Sequence, residues 1–297
     1  MTAPAPTRPR RALVLLAVVF VLLAVVPGAV SLIAQGYRST TEQTTSLASD
    51  VAMLTVRNGV GDVELVASPD DLVHVRTYAE HGLEPPALTA ESTAAGVLLS
   101  ARCEDLLAIE CRVDYEIEVP RDFAVRVEVG SGDVAAHGLS GALALTARSG
   151  DTFLSDLSGP LTVRGDSGDV NAVQIDSDAV VVERTDGNIF LDMDTAPSDV
   201  RLWSERGDVV VGVPGAERYR VDSWAIDGET RIGVRTDASS AHAITATSGG
   251  GDVLVRTSYP FPGPLVLPDP RGDGPAPVPP RPPDPPVPPE PVLVNGG

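Results

Sequence analysis

Along most of the chain, apolar residues alternate with polar ones in short runs, and each run is broken by a glycine. A glycine followed by Asp, Asn or Glu stands at Gly61, Gly132, Gly150, Gly168, Gly187, Gly207, Gly228 and Gly251. From Gly132 onward the intervals are 18, 18, 19, 20, 21 and 23 residues. Two residues after each glycine come Val63, Val134, Thr152, Val170, Ile189, Val209, Thr230 and Val253. Four after come Leu65, Ala136, Leu154, Ala172, Leu191, Val211, Ile232 and Val255. Seven before stand Leu54, Val125, Leu143, Leu161, Val180, Val200, Val221 and Ile244. The fifth position before is apolar in every unit except at Ser223. The intervening positions are mainly Arg, Thr, Asp, Glu and Ser. A period of two on both sides of a turn predicts strand, Gly-Asp turn, strand, with one side of each strand facing a core. Glycine is expected at each corner because the corner demands positive φ.

A unit of about 20 residues cannot bury its apolar face alone, so neighbouring units must stack. The near-constant period predicts an all-β, repetitive β-solenoid (β-helix-like), one coil per repeat. An antiparallel barrel or sandwich of hairpins is the alternative. Residues 67–123 interrupt the period with three further alternating runs, DLVHVRTYAE, AAGVLLSARCE and CRVDYEIEVP. They are expected to cap the open end of the stack within a domain spanning 50–258.

The two ends read differently. After a basic segment (1–11), residues 12–34 carry no charge and would make a helix of about 35 Å, long enough for a bilayer core of roughly 30 Å. Arg8, Arg10 and Arg11 precede it, so residues 1–11 are expected in the cytoplasm and the rest outside. The competing reading, a cleaved signal peptide, lacks a clean cleavage site, since Pro27-Gly28-Ala29 puts proline at −3. Residues 35–49 read as a linker, and residues 259–297 as a Pro-rich disordered tail in an extended polyproline form.

Charge and composition remove several functions. The 22 basic residues are all Arg and face 41 acids, for a net charge of −19, which argues against nucleic acid as a partner. None of the 4 histidines has another at ligand spacing, and no Ser stands in a G-x-S-x-G elbow. No catalysis and no cofactor are therefore expected. Cys103 and Cys111, outside the membrane and flanking a tight connection, are expected to form a disulfide. Stacked turns would bring Asp133, Asp151, Asp169 and Asp208 to roughly 4.8 Å from one another. Like charges at that distance repel by about 1 kcal/mol in water. Hydrogen bonds to turn amides, splaying into solvent, Arg148 and Arg206, or calcium could relieve this. These four aspartates are the calcium candidates, but the GGxGxD repeat that supports calcium is absent, so turn capping is the reading taken and no metal is assigned.

The Val113 to Pro120 entry, Val-Asp-Tyr-x-Ile-x-Val-Pro, followed by serial Ser-Gly-Asp turns at Gly132, Gly150 and Gly168, resembles the bacterial putative-adhesin family. These are DUF-type surface proteins with β-strand repeats, several anchored by one N-terminal helix. The resemblance covers about Asp50 to Thr257 and transfers no binding residues. It implies a single-pass, membrane-anchored extracytoplasmic module, non-catalytic and adhesin-like, contacting cell-wall polymer or proteins. The alternative is an envelope-sensing accessory subunit acting through a membrane partner. The solenoid ends offer a route to self-association.

Overall fold

The computed structural model describes residues 39–82, 84–103 and 111–258. The span expected at 12–34 and the tail at 259–297 lie outside these. Among the described residues there is no helix, and none long and apolar enough to cross a membrane. The chain folds instead as strands in two sheets, most of them parallel.

In chain order the strands are β1 (Ser39–Leu47), β2 (Met53–Val60), β3 (Val63–Ala67), β4 (Val73–His81), β5 (Ala87–Thr93), β6 (Gly96–Arg102) and β7 (Arg112–Val119). The regular repeat follows with β8 (Ala124–Ser131), β9 (Val134–His137), β10 (Leu143–Ser149), β11 (Thr152–Leu157), β12 (Leu161–Ser167), β13 (Val170–Ile175), β14 (Ala179–Asp186) and β15 (Ile189–Met193). The last six are β16 (Asp199–Arg206), β17 (Val209–Val213), β18 (Arg220–Ala225), β19 (Thr230–Ile232), β20 (Ala243–Ser248) and β21 (Val253–Thr257).

Each repeat is one coil: a strand in the ten-stranded sheet, a Gly-Asp corner, then a strand in the eleven-stranded sheet. Successive coils stack parallel and in register, Leu143 lying beside Val125 on one side and Leu161 on the other. The positions seven and five before each glycine thus form columns inside the solenoid. Leu54, Val56, Val163, Val182 and Ala246 are fully buried there. The expected solenoid-like stack is present, and the antiparallel-hairpin alternative is not.

The stacking order departs from the chain order at both ends. The ten-stranded sheet runs β18-β20-β16-β14-β12-β10-β8-β2-β6-β5 and the eleven-stranded sheet β1-β4-β7-β3-β9-β11-β13-β15-β17-β21-β19. The coil β6–β7 therefore lies outside β2–β3, although it follows it in sequence. At the other end β18–β19 lies outside β20–β21, although it precedes it. The coil carrying Ser223 at an inward position is the terminal one, where one side meets solvent. Its strands are correspondingly exposed, β19 along its whole length.

Two expectations about the first third need correction. Residues 67–123 are only partly a cap: β6 and β7 make a full coil, while β4 and β5 flank it antiparallel. Residues 35–49 are not simply a linker, because β1 pairs with β4 from Ser39↔His81 to Leu47↔Val73. A run rich in Thr and Ser and mostly exposed suits such an edge strand. The Cys103–Cys111 disulfide, with Cα atoms 6.1 Å apart, closes the corner between β6 and β7.

Candidate functional site

At the corners, the turn aspartates do not face one another as free charges. Each side chain accepts a hydrogen bond from the next coil's turn amide. The Asp62 N–H donates to Asp114 Oδ1, Asp133 N–H to Asp62 Oδ1 and Asp151 N–H to Asp133 Oδ1, all at 2.8 Å. The series continues from Asp169 N–H to Asp151 Oδ1 and from Asn188 N–H to Asp169 Oδ1, at 2.8 and 2.7 Å. It then runs through Asn188 Oδ1 to Asp208, Asp208 Oδ1 to Asp252 and Asp252 Oδ1 to Glu229. Arg112 closes the first end with bonds to Asp62 and Asp114. Asp133, Asp151, Asp169 and Asp208 thus each commit one oxygen to a backbone amide. Among the described residues, no group of three or more His, Cys, Asp or Glu converges as a metal site would. Their repulsion is relieved by the turn amides, while Arg206 pairs with Asp186 instead. Partial desolvation, with the neighbouring Asp62 and Asp151 charges, holds the carboxyl of the exposed Asp133 above its ordinary pKa despite the amide bond.

Inside the same corners sits a residue three before each glycine. Asn58, Ser204 and Ser248 turn there to cap glycine carbonyls. Arg184 occupies this position in its own coil and is fully buried. Its Nη2 donates to Thr152 Oγ1 at 2.6 Å and its Nη1 to the Ala147 carbonyl at 3.3 Å. Room exists because the neighbouring coil has Gly165, whose Cβ would stand 2.0 Å from Nη1. Desolvation lowers the Arg184 pKa, against the pull of Asp151, Asp169 and Asp166. Polarity alone places Arg184 on the solvent side. Its parity with the inward positions five and seven before the glycine was the signal for the inside.

On the eleven-stranded sheet, Ser46 Oγ lies 2.8 Å from His74 Nδ1, and His74 Nε2 lies 3.0 Å from Asp70 Oδ1. The residue types are those of a hydrolytic triad, but a working one needs donors aimed at a developing oxyanion. The adjoining cleft of about 140 Å³ is lined instead by three acids, Glu64, Glu116 and Glu118, against one base, Arg76, whose Nη1 is engaged by Glu116 at 2.9 Å. Ser46 and His74 are cross-strand partners, so the contact pins the edge strand β1. The Leu72 amide, then His74, holds the Asp70 carboxyl below its ordinary pKa.

The ten-stranded sheet has the most ordered outer surface. One outward position repeats as Ser100, Arg57, Glu128, Thr146, Arg164, Glu183, Trp203, Thr247 and Trp224 on nine adjacent strands. Arg57 pairs with Glu128 at 3.3 Å and Arg164 with Glu183 at 2.9 Å. Trp203 and Trp224 are 42% and 45% exposed, yet Thr247 between them is only 8% exposed. In sequence these tryptophans look dispersed, and the exchanged order of the last two coils brings them onto either side of one strand. A groove of about 630 Å³ opens at the other end of this surface, beside Arg57, Arg102, Arg148 and Arg164.

Residues 125–259 match the family model described as Toastrack DUF4097. No curated protein matches the chain. Among solved structures, one similar chain is a putative cell adhesion protein from Clostridium sporogenes ATCC 15579, at 10% identity and a TM-score of 0.36, covering 74% of this chain and 100% of its own. A putative adhesin from Bacteroides fragilis NCTC 9343 is similar at 11% identity and a TM-score of 0.37, covering 73% and 98%. A putative adhesin from Parabacteroides distasonis ATCC 8503 is similar at 13% identity and a TM-score of 0.30, covering 73% and 97%.

Proposed function

We propose that this chain, with its Toastrack DUF4097 domain over residues 125–259, is a membrane-anchored, extracytoplasmic surface-binding module that performs no chemistry of its own. Residues 12–34 span the membrane with residues 1–11 in the cytoplasm, and the β-domain stands outside. The excess of acid keeps that domain off anionic headgroups. Its target is cell-wall polymer or a protein embedded in the wall.

The observation that carries this reading is the outer face of the ten-stranded sheet. Parallel strands in register present one outward position per strand at a constant step, which suits an extended target better than a compact small molecule. The cleft beside His74 sets three acids against one base, Arg76, which Glu116 already engages, a poor electrostatic setting for an oxyanion that supports a non-catalytic role.

Full-length protein in detergent should be retained saturably on purified cell wall, and retention should survive about 0.5 M salt, where exposed charge pairs are largely screened. Absence of retention, with one membrane protein recovered stoichiometrically from solubilised membranes, would replace this reading with an envelope-sensing subunit.

A further inference from the structure

We propose that the outer face of the ten-stranded sheet is a track for a linear acidic polysaccharide, seated on Trp203 and Trp224 and held by Arg102 and Arg148. The proposal rests on the surface-binding reading and assigns it a site and a ligand class.

Geometry comes first. The outward row crosses nine strands, so its eight inter-strand steps extend for roughly 38 Å along the stacking direction. One step is close to the length of one pyranose unit in an extended glycan, so a polysaccharide laid along the row would meet equivalent positions repeatedly. Trp203 and Trp224 each pair with Thr247, which puts them two strands apart, about 9.6 Å between their backbones. Large half-exposed indoles on a chain with only 4% aromatics form an apolar platform with polar edges. The C–H face of a sugar ring stacks on such a surface while its hydroxyls stay in water.

Charge selects the kind of glycan. Arg102, Gly59, Gly130 and Arg148 each follow by one residue the paired positions Ala101, Asn58, Val129 and Ala147 on four adjacent strands. Two glycines leave the floor between the arginines without side chains, and this is the groove. Both arginines are exposed, and neither has an ion-pair partner among the described residues. They stand about 14 Å apart across three strand steps. In a chain of net charge −19, two exposed guanidinium groups that face one groove without an ion pair among the described residues form a local exception, with Asp166 one strand beyond Arg148. Guanidinium donates in a fork that fits a carboxylate. Glu128, Asp166 and Glu183 are interleaved with the arginines, so a polymer charged at every unit would meet repulsion as often as attraction. A glycan charged at intervals avoids this, and single-stranded nucleic acid does not.

The chain contains 2 tryptophans, both in the site, so intrinsic fluorescence reads binding directly. Full-length protein in detergent is titrated with hyaluronan oligosaccharides, in which every second sugar carries a carboxylate, and in parallel with neutral cello-oligosaccharides and oligo-dT. Hyaluronan should change the tryptophan emission saturably, with oligo-dT and the neutral glycan binding at least about tenfold more weakly. The Arg102→Gln/Arg148→Gln variant should lose about tenfold or more in hyaluronan affinity, the loss expected of charged hydrogen bonds. Arg231→Gln, at the far end of the other sheet, should bind as the parent does. The proposal is overturned if hyaluronan leaves the emission unchanged, if the double variant binds as tightly as the parent, or if oligo-dT binds equally well. Wall retention that persists in the double variant would sink this site and leave the surface-binding reading intact. Hyaluronan binding through the arginines without wall retention would do the reverse.

Discussion

At Asp133, two opposing demands meet on one side chain. The carboxylate accepts the Asp151 amide, which favours its charged form, but partial desolvation and the charges of Asp62 and Asp151 outweigh that bond and raise the pKa of this exposed side chain. An aspartate whose folded pKa exceeds its unfolded value binds protons more tightly when folded. Its charge therefore lowers stability as pH rises from about 4, the ordinary carboxyl value, through the folded pKa. Asn188 performs the same bridging with a neutral side chain, its Oδ1 accepting the Asp208 amide at 2.9 Å. Asp133→Asn should accordingly raise the Tm at pH 7, and the gain should vanish below about pH 4. Thermal melts of both proteins across that range check this. A Tm that falls at pH 7 would mean that the negative charge itself strengthens the amide ladder. The recurrence of Gly-Asp made these residues visible in the sequence, and capping was the role read there. Which oxygen meets which amide depends on coil register, which no local pattern encodes.

At the scale of the strand and its corner, glycine answers to a constraint that conformational preference alone does not convey. Gly150 has φ +127, as the corner was expected to demand, but its missing Cβ also matters. A Cβ there would lie 2.0 Å from the Gly132 carbonyl oxygen of the adjacent coil. Positive φ is absent at Gly228 and Gly251, yet the same crowding against a neighbouring glycine carbonyl, at 2.2 and 2.4 Å, excludes a side chain there too. The column is thus one of close backbone approach, and the glycines are needed by their neighbours as much as by their own torsions. Gly150→Ala combines a left-handed backbone penalty with a clash against backbone that cannot rotate away. Denaturant unfolding should show a loss of about 3 kcal/mol or more. A loss below about 1 kcal/mol would show that the coils can separate locally to admit a methyl group.

Across the whole molecule, stability should fall from the middle of the stack towards its ends, since each coil is supported only by its neighbours. The terminal coil has a half-buried Ser223 whose Oγ finds no hydrogen-bond partner among the described residues, and its β19 is exposed throughout. Amide exchange should therefore be fastest in β18 and β19 and slowest in β10 to β15. Uniform protection across all coils would instead mean that the solenoid opens as one unit. The sequence by itself determined the inward and outward faces of each strand and the place of each corner. It could do so because alternation and glycine are local signals that survive in any all-β stack. Only the tertiary structure decided the order of the coils, the burial of Arg184 against Gly165, and the spacing of Trp203 and Trp224 across Thr247. Repeats with the same inward pattern can neighbour one another in any order, so nothing local fixes who stacks on whom. That choice is made where the coils meet, by the connections between them and by the need to leave the least apolar coil outermost.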